Sequence, residues 1–82
     1  MRFDVALFQL RLFKSRSQAT AAIESGDALL NGERSKPSRE VRPGDRVTLT
    51  GSATRRSLEI IDLPDRSVSK EAARDMVREV ES

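Results

Sequence analysis

The 82 residues contain no cysteine and no histidine. Without thiols there is neither a disulfide framework nor a thiolate zinc site. Without imidazole, the commonest general base and the commonest metal ligand are both missing. The carboxylates are scattered and none sits alone in an apolar stretch, so no acid–base pair stands out. These absences predict a protein that is not an enzyme and carries no metal or other cofactor. Tryptophan and tyrosine are also absent, and the three phenylalanines are Phe3, Phe8 and Phe13. Readers of single-stranded RNA stack bases on aromatic platforms presented by strands. The strands predicted below carry none, so a nucleic-acid partner would be structured RNA, recognised by shape and phosphate position. No apolar run reaches the roughly 18 residues of a membrane span. Asp4 falls where a signal peptide would be apolar, which predicts a cytoplasmic protein with no membrane partner.

The net charge is only +2. Its distribution says more: residues 1–50 hold nine Lys and Arg against six acids, whereas residues 51–82 hold six against seven. The basic character therefore lies in the first part. One domain is expected, and at this size it buries only about 60–65% of its extended-chain surface.

Asp4 is a good N-cap for a first helix over residues 5 to about 12. Phe3 and Phe8 then have the spacing of a hydrophobic staple. Leu7 with Leu10, and Phe8 with Leu12, make a broad apolar face, and Phe13 anchors the following loop. A second helix runs from Arg16 to about Ser25, with Ala19, Ala22 and Ile23 inward and Gly26 as its stop. Ala28 to Leu30 reads as a short strand, Asn31-Gly32 as a tight turn, and Glu33 to Lys36 as a return segment interrupted at Pro37. Pro43-Gly44 fits a type II turn. Arg46 to Thr50 alternates with Val47 and Leu49 inward. Gly51 to Thr54 reads as a loop. Arg56 to Ile61 forms another strand with Leu58 and Ile60 inward, ended by Pro64. Ser69 caps a last helix with the stripe Ala73, Met76, Val77 and Val80. The predicted fold is α+β: two N-terminal helices on a small, mostly antiparallel sheet, with a C-terminal helix.

The junction between the first two helices concentrates the chemistry. Arg11, Lys14 and Arg16 crowd it, and Ser15 with Gln18 has the spacing of a capping box. A helix N-terminus has free N–H groups and partial positive charge, which favour a phosphate. Added cations make a site for a nucleic-acid backbone. Ser17 and Gln18 are able to bond either backbone or phosphate. Arg2 pairs with Asp4 or another local acid, and Arg42, Arg46, Arg55 and Arg56 mark a solvated rim.

Arg2-Phe3-Asp4, Leu7, Ser15-Arg16-Ser17-Gln18-Ala19, Ile23, Gly26, Leu30-Asn31-Gly32, Lys36-Pro37-Ser38, Val41 and Gly44-Asp45 follow in order. Together they resemble the S4-type RNA-binding domain over about residues 1–50, leaving residues 51–82 to complete the sheet and add a helix to the same domain. Arg11-Leu12-Phe13-Lys14-Ser15-Arg16 and Asn31-Gly32-Glu33-Arg34-Ser35-Lys36-Pro37-Ser38 are similar to signatures of the ribosome-associated heat-shock family, the fifteen-kilodalton class. Val68-Ser69-Lys70-Glu71-Ala72 is similar to small bacterial relatives acting in ribosome-associated quality control. Ala6 and Phe8 stand where that family often has tryptophan, and Asp27 stands where a basic residue is common. Residues 51–82 do not match the basic extension of longer members.

The resemblance implies binding to the large ribosomal subunit, contact with rRNA and tRNA, and stabilisation of a stalled peptidyl-tRNA in the P site. It implies RNA contact by Arg11, Lys14, Ser15, Arg16, Ser17, Gln18, Asn31 and Lys36, on a protein that is monomeric when free. A competing reading is a protein-interaction or regulatory module with an incidental basic surface. A third is a domain detached from an enzyme, since pseudouridine synthases and tyrosyl-tRNA synthetases carry similar domains. Residues 51–82 are too few for a catalytic domain.

Overall fold

Phe3, Ala6, Leu7 and Leu10 recur at three- and four-residue spacing, and all four are buried. They form the inner stripe of helix α1, Phe3–Gln9, and of the residue just beyond it. The computed structural model describes residues 1–50, 55–65 and 68–80. The elements after α1 are helix α2 (Arg16–Ser25), strands β1 (Ala28–Leu30), β2 (Arg46–Leu49) and β3 (Arg56–Ile60), helix α3 (Lys70–Arg74) and strand β4 (Val77–Val80). The strands make one sheet in the order β1-β2-β3-β4, every pair antiparallel. This is the expected α+β architecture.

Leu30 pairs with Val47, and Val47 with Leu58, so their side chains share the sheet face that meets the helices. Ala19 and Ile23 of α2, Ala28 and Leu30 of β1, Val41, Val47 and Ile60 close one core with the α1 stripe. Full burial of the Val, Leu, Ile and Phe side chains among them stabilises by about 1.5–3 kcal/mol each. On the other sheet face, Thr48 and Ser57 stand opposite each other, both buried, with their hydroxyls 3.4 Å apart. Thr48 thus faces away from Val47 and Leu49, in keeping with the alternation along β2.

The turns formed as their residues predicted. Asn31 (φ 52°) and Gly32 (φ 81°) sit in left-handed conformations, and Leu30 and Glu33 exchange backbone hydrogen bonds across them. The Asp45 N–H donates to the Arg42 carbonyl across Pro43-Gly44.

Three expectations need correction. First, α1 starts at Phe3 rather than residue 5 and ends at Gln9, and Asp4 does not cap it. The Phe3 and Asp4 N–H groups donate instead to the carbonyls of Arg39 and Pro37, so backbone caps the helix and the carboxylate is freed to turn inward. Second, the return segment after Asn31-Gly32 is a single bridge at Glu33; β1 pairs with β2 instead. Third, the last helix is only Lys70–Arg74, capped by Ser69 Oγ as expected, and Val77–Val80 is a strand. Val77 and Val80 have the i, i+3 spacing of a helix and do not alternate, but β3 offered an unpaired edge and the segment pairs with it. Arg78 bonds Glu59 and Arg56 bonds Glu79 across the new pairing. Met76 and Val77 still pack on the core. The Gly51 to Thr54 loop lies outside the described residues.

Leu7 is fully buried at the centre of this core. Leu7→Ala is expected to cost about 2–5 kcal/mol in urea denaturation. A loss well under 1 kcal/mol would mean that α1 does not carry the core.

Candidate nucleic-acid interface

The loop joining α1 to α2 is held at both ends by local bonds. After α1, the Arg11 N–H donates to the Phe8 carbonyl and the Leu12 N–H to the Leu7 carbonyl. That pair of bonds is a Schellman closure, and the residue in the left-handed position is Arg11, φ 63°. Helix α2 ends with the same pattern, Gly26 to Ile23 and Asp27 to Ala22, with glycine at the left-handed position. A side chain there costs roughly 1–2 kcal/mol relative to glycine. Arg11 is therefore a strained backbone position carrying an exposed cation. Its Nε donates to the Val68 carbonyl at 2.8 Å, tying the loop to the approach to α3.

At the other end, Ser15 is extended and its Oγ accepts from the Gln18 N–H at 3.1 Å. The serine half of the predicted capping box is thus formed. Among the described residues, the Arg16 and Ser17 N–H groups have no protein acceptor. They leave the first turn of a ten-residue helix open to an anion. Lys14, Arg16, Ser17 and Gln18 are exposed around that opening, and Ser15 is half-buried.

Beneath the opening lies Asp4, 2% exposed. Its carboxylate accepts from Arg2 through both oxygens at 3.1 Å and from the Val5 N–H at 2.8 Å. Arg16 Nε and Thr20 Oγ1 approach it from α2, each at 3.4 Å. Burial pushes the carboxyl up, but the Arg2 hydrogen bonds, the Val5 N–H and the charges of Arg2 and Arg16 outweigh it. The group is held below its ordinary value. Arg2 and Arg16 keep about half their side-chain surface in water, 50% and 53%. Asp4 thus aims two guanidinium groups without hiding them. The strand of chain that caps α1 brings exposed Lys36 to the same corner, since the Asp4 N–H donates to the neighbouring Pro37 carbonyl.

The structure therefore gathers Lys14, Ser15, Arg16, Ser17, Gln18 and Lys36 around the start of the two helices, with Arg11 at the end of α1 where the loop to α2 begins. Asn31 is not part of that group. Its Nδ2 donates to Asp45 and its Oδ1 accepts from the Arg46 N–H, so its amide braces the β1–β2 connection. The aiming role of Asp4 was missed, although Arg2-Phe3-Asp4 hinted at the ion pair. Lys70 of α3, which shares a surface cleft with Phe8, Phe13 and Lys14, gave no signal because only the tertiary fold brings it there.

The S4 domain family matches residues 1–47, which span α1, α2, β1 and the start of β2. The chain belongs to the S4 domain family. That match bears out the resemblance to an RNA-binding domain. A Bacillus subtilis (strain 168) protein named RQC P-site tRNA stabilizing factor is 33% identical over 73 residues, covering 89% of this chain and 85% of that protein. A Haemophilus influenzae protein named Heat shock protein 15 homolog is 34% identical over 82 residues, covering 100% of this chain but 63% of its own length. The chain thus spans under two thirds of that relative. The trimeric structure of Vibrio cholerae Heat Shock Protein 15 superposes with a TM-score of 0.91 at 31% identity, over 98% of this chain and 81% of that one. The S4 core and the strands that follow it are therefore shared as a whole fold.

Two outcomes test this geometry. The native Asp4 carboxyl titrates below the unfolded one. Its stabilisation is thus full above the unfolded value of about 3.9 and is lost as pH falls through the lower native value. Asp4→Asn should cost about 1–3 kcal/mol at neutral pH, discounted for its half-exposed partners, and should flatten the acid limb of a stability–pH profile. Separately, Arg11→Gly relieves the left-handed strain, so its stability in urea should hold or rise by up to about 1 kcal/mol. Its RNA affinity should fall, because the cation is gone. A clear loss of stability would show that the Val68 contact outweighs the strain.

Proposed function

We propose that this S4 protein is a non-enzymatic binder of structured RNA on the large ribosomal subunit. There it would contact rRNA and tRNA and support stalled peptidyl-tRNA complexes during rescue or quality control. The observation that carries the reading is the open first turn of α2, with unpaired N–H groups at Arg16 and Ser17 and exposed cations around them. A phosphate placed there meets the helix dipole, two backbone donors and the side chains of Lys14 and Arg16 together. Arg11 and Lys36 extend the footprint to either side. Ser15 fixes the turn, and Ser17 and Gln18 offer further polar contacts. Asn31 contributes by holding its turn, with direct contact limited to the groups its bonds leave over.

The name of the Bacillus subtilis relative, which covers most of both chains, supports the placement beside a P-site tRNA. Residues 1–50 act as the RNA-binding core, and residues 51–82 complete the same domain. No helix among the described residues is long and apolar enough to cross a membrane, in keeping with a cytoplasmic site of action. No cofactor is needed for this role. We read the free protein as a monomer, and light scattering would separate that from the trimer described for the Vibrio cholerae relative.

Co-sedimentation with large subunits is the decisive experiment. Lys14→Ala with Arg16→Ala should abolish it at moderate salt while circular dichroism stays native. With Arg11, Lys14, Arg16 and Lys36 as the neutralising groups, log affinity for isolated rRNA should fall against log salt with a slope of roughly −3 to −4. A slope near zero would move the reading to a protein-interaction module.

A further inference from the structure

The α1–α2 loop has a second side, which opens into a cleft of about 590 Å³. That volume lies within the range of about 300–1,000 Å³ of small-ligand sites. Phe8, Leu12 and Phe13 form its apolar wall, and each is half-buried rather than sealed in the core. Arg11, Lys14 and Lys70 also line it, and no acidic residue does among the described residues. Gln9 completes the wall. Its Oε1 is shut off from solvent, and no group among the described residues donates to it. A buried amide oxygen left without a donor is costly, so the cleft wall carries an unmet acceptor.

Flat rings, cations and an unmet acceptor together describe a nucleotide. We propose that the cleft receives one unstacked nucleobase of the structured RNA. The base lies against Phe8 and Phe13, the Gln9 side chain turns outward so that its Oε1 accepts from an amine or ring N–H on the base edge, and the flanking phosphates meet Lys14 and Lys70. Every base has a π face to stack. An acidic peptide would satisfy the cations but would leave the paired aromatic walls without a flat partner. This deepens the RNA-binding reading and rests on it. It also gives the C-terminal residues a part in recognition, because Lys70 comes from α3, outside the residues matched to the family.

The test compares three hairpin RNAs at matched ionic strength by fluorescence anisotropy. One carries a single bulged adenosine, one an abasic bulge at the same place, and one is fully paired. The bulged adenosine should bind about tenfold more tightly than the abasic form, the scale of one base–aromatic stack. Gln9→Met and Phe13→Leu should each erase most of that gap and leave the affinity for the abasic hairpin unchanged; both substitutions keep apolar volume in place. In amide NMR spectra the bulged adenosine should shift Phe8, Gln9, Phe13 and Lys70 in addition to the first turn of α2. Equal affinity for the bulged and abasic hairpins overturns the nucleobase site and leaves the RNA reading standing. No binding to any of the three overturns both. Displacement of RNA from the cleft residues by an acidic peptide, with no effect of removing the base, assigns the cleft to a protein partner and overturns the proposal.

Discussion

Everything about the basic corner depends on one buried carboxylate. Asp4 sits in the first turn of α1 among fully buried apolar side chains. A lone ionised carboxylate there would be unsustainable, and the cost of burying it is met only by paired, hydrogen-bonded partners. Arg2, Arg16, Thr20 and the Val5 N–H supply them from both helices. The same contacts set where the helices meet and where the guanidinium groups point. A salt bridge of this kind is a weak source of net stability. Its value lies in orientation: the charges used for binding are fixed before any ligand arrives, so less ordering is required on contact.

The loop after α1 shows the opposite use of energy. Gly26 ends α2 in a left-handed position without strain, and its Cβ would also meet the Arg34 side chain at 3.2 Å. Arg11 ends α1 in the same conformation with a full side chain. Backbone strain that glycine would relieve is retained where it presents a cation beside an open helix N-terminus. Such strain persists only where the surroundings over-determine it. Here the Schellman bonds, the buried Leu10 beside it and the Val68 carbonyl do so.

Most of this architecture was legible in the residues, and what failed had a common cause. The Ser15 cap, the Gly26 stop, the Asn31-Gly32 turn and the Pro43-Gly44 turn depend on local conformational preference, and all formed. Asp4 misled because a helix-capping residue was expected to cap, whereas remote backbone from Pro37 and Arg39 took that task. Val77 to Val80 misled because the two valines have helical spacing, and the free edge of β3 overrode that pattern through long-range pairing. At the site, the cations of the α1–α2 junction were visible as a cluster in sequence. The carboxylate that aims them and the lysine that joins them from α3 were not, since both depend on long-range packing.

The small net charge of +2 is compatible with a polyanion partner once the location of the acids is considered. Asp4 is turned inward beneath the site, and Asp45 accepts from the Asn31 amide and the Arg42 N–H in a turn. Glu59 and Glu79 pair across β3 and β4 with Arg78 and Arg56. Glu40 pairs with the chain's amino terminus. These carboxylates are engaged in holding the fold together. Lys14, Lys36 and Lys70 are exposed, and among the described residues none of them pairs with a carboxylate. The local field at the start of α2 is therefore more positive than the total charge implies, and at ordinary ionic strength only charges within about 10 Å count. A chain of nearly balanced composition thus carries a concentrated cationic site, helped by Asp4, Glu40, Asp45, Glu59 and Glu79 serving as structural anchors while Lys14, Lys36 and Lys70 do not.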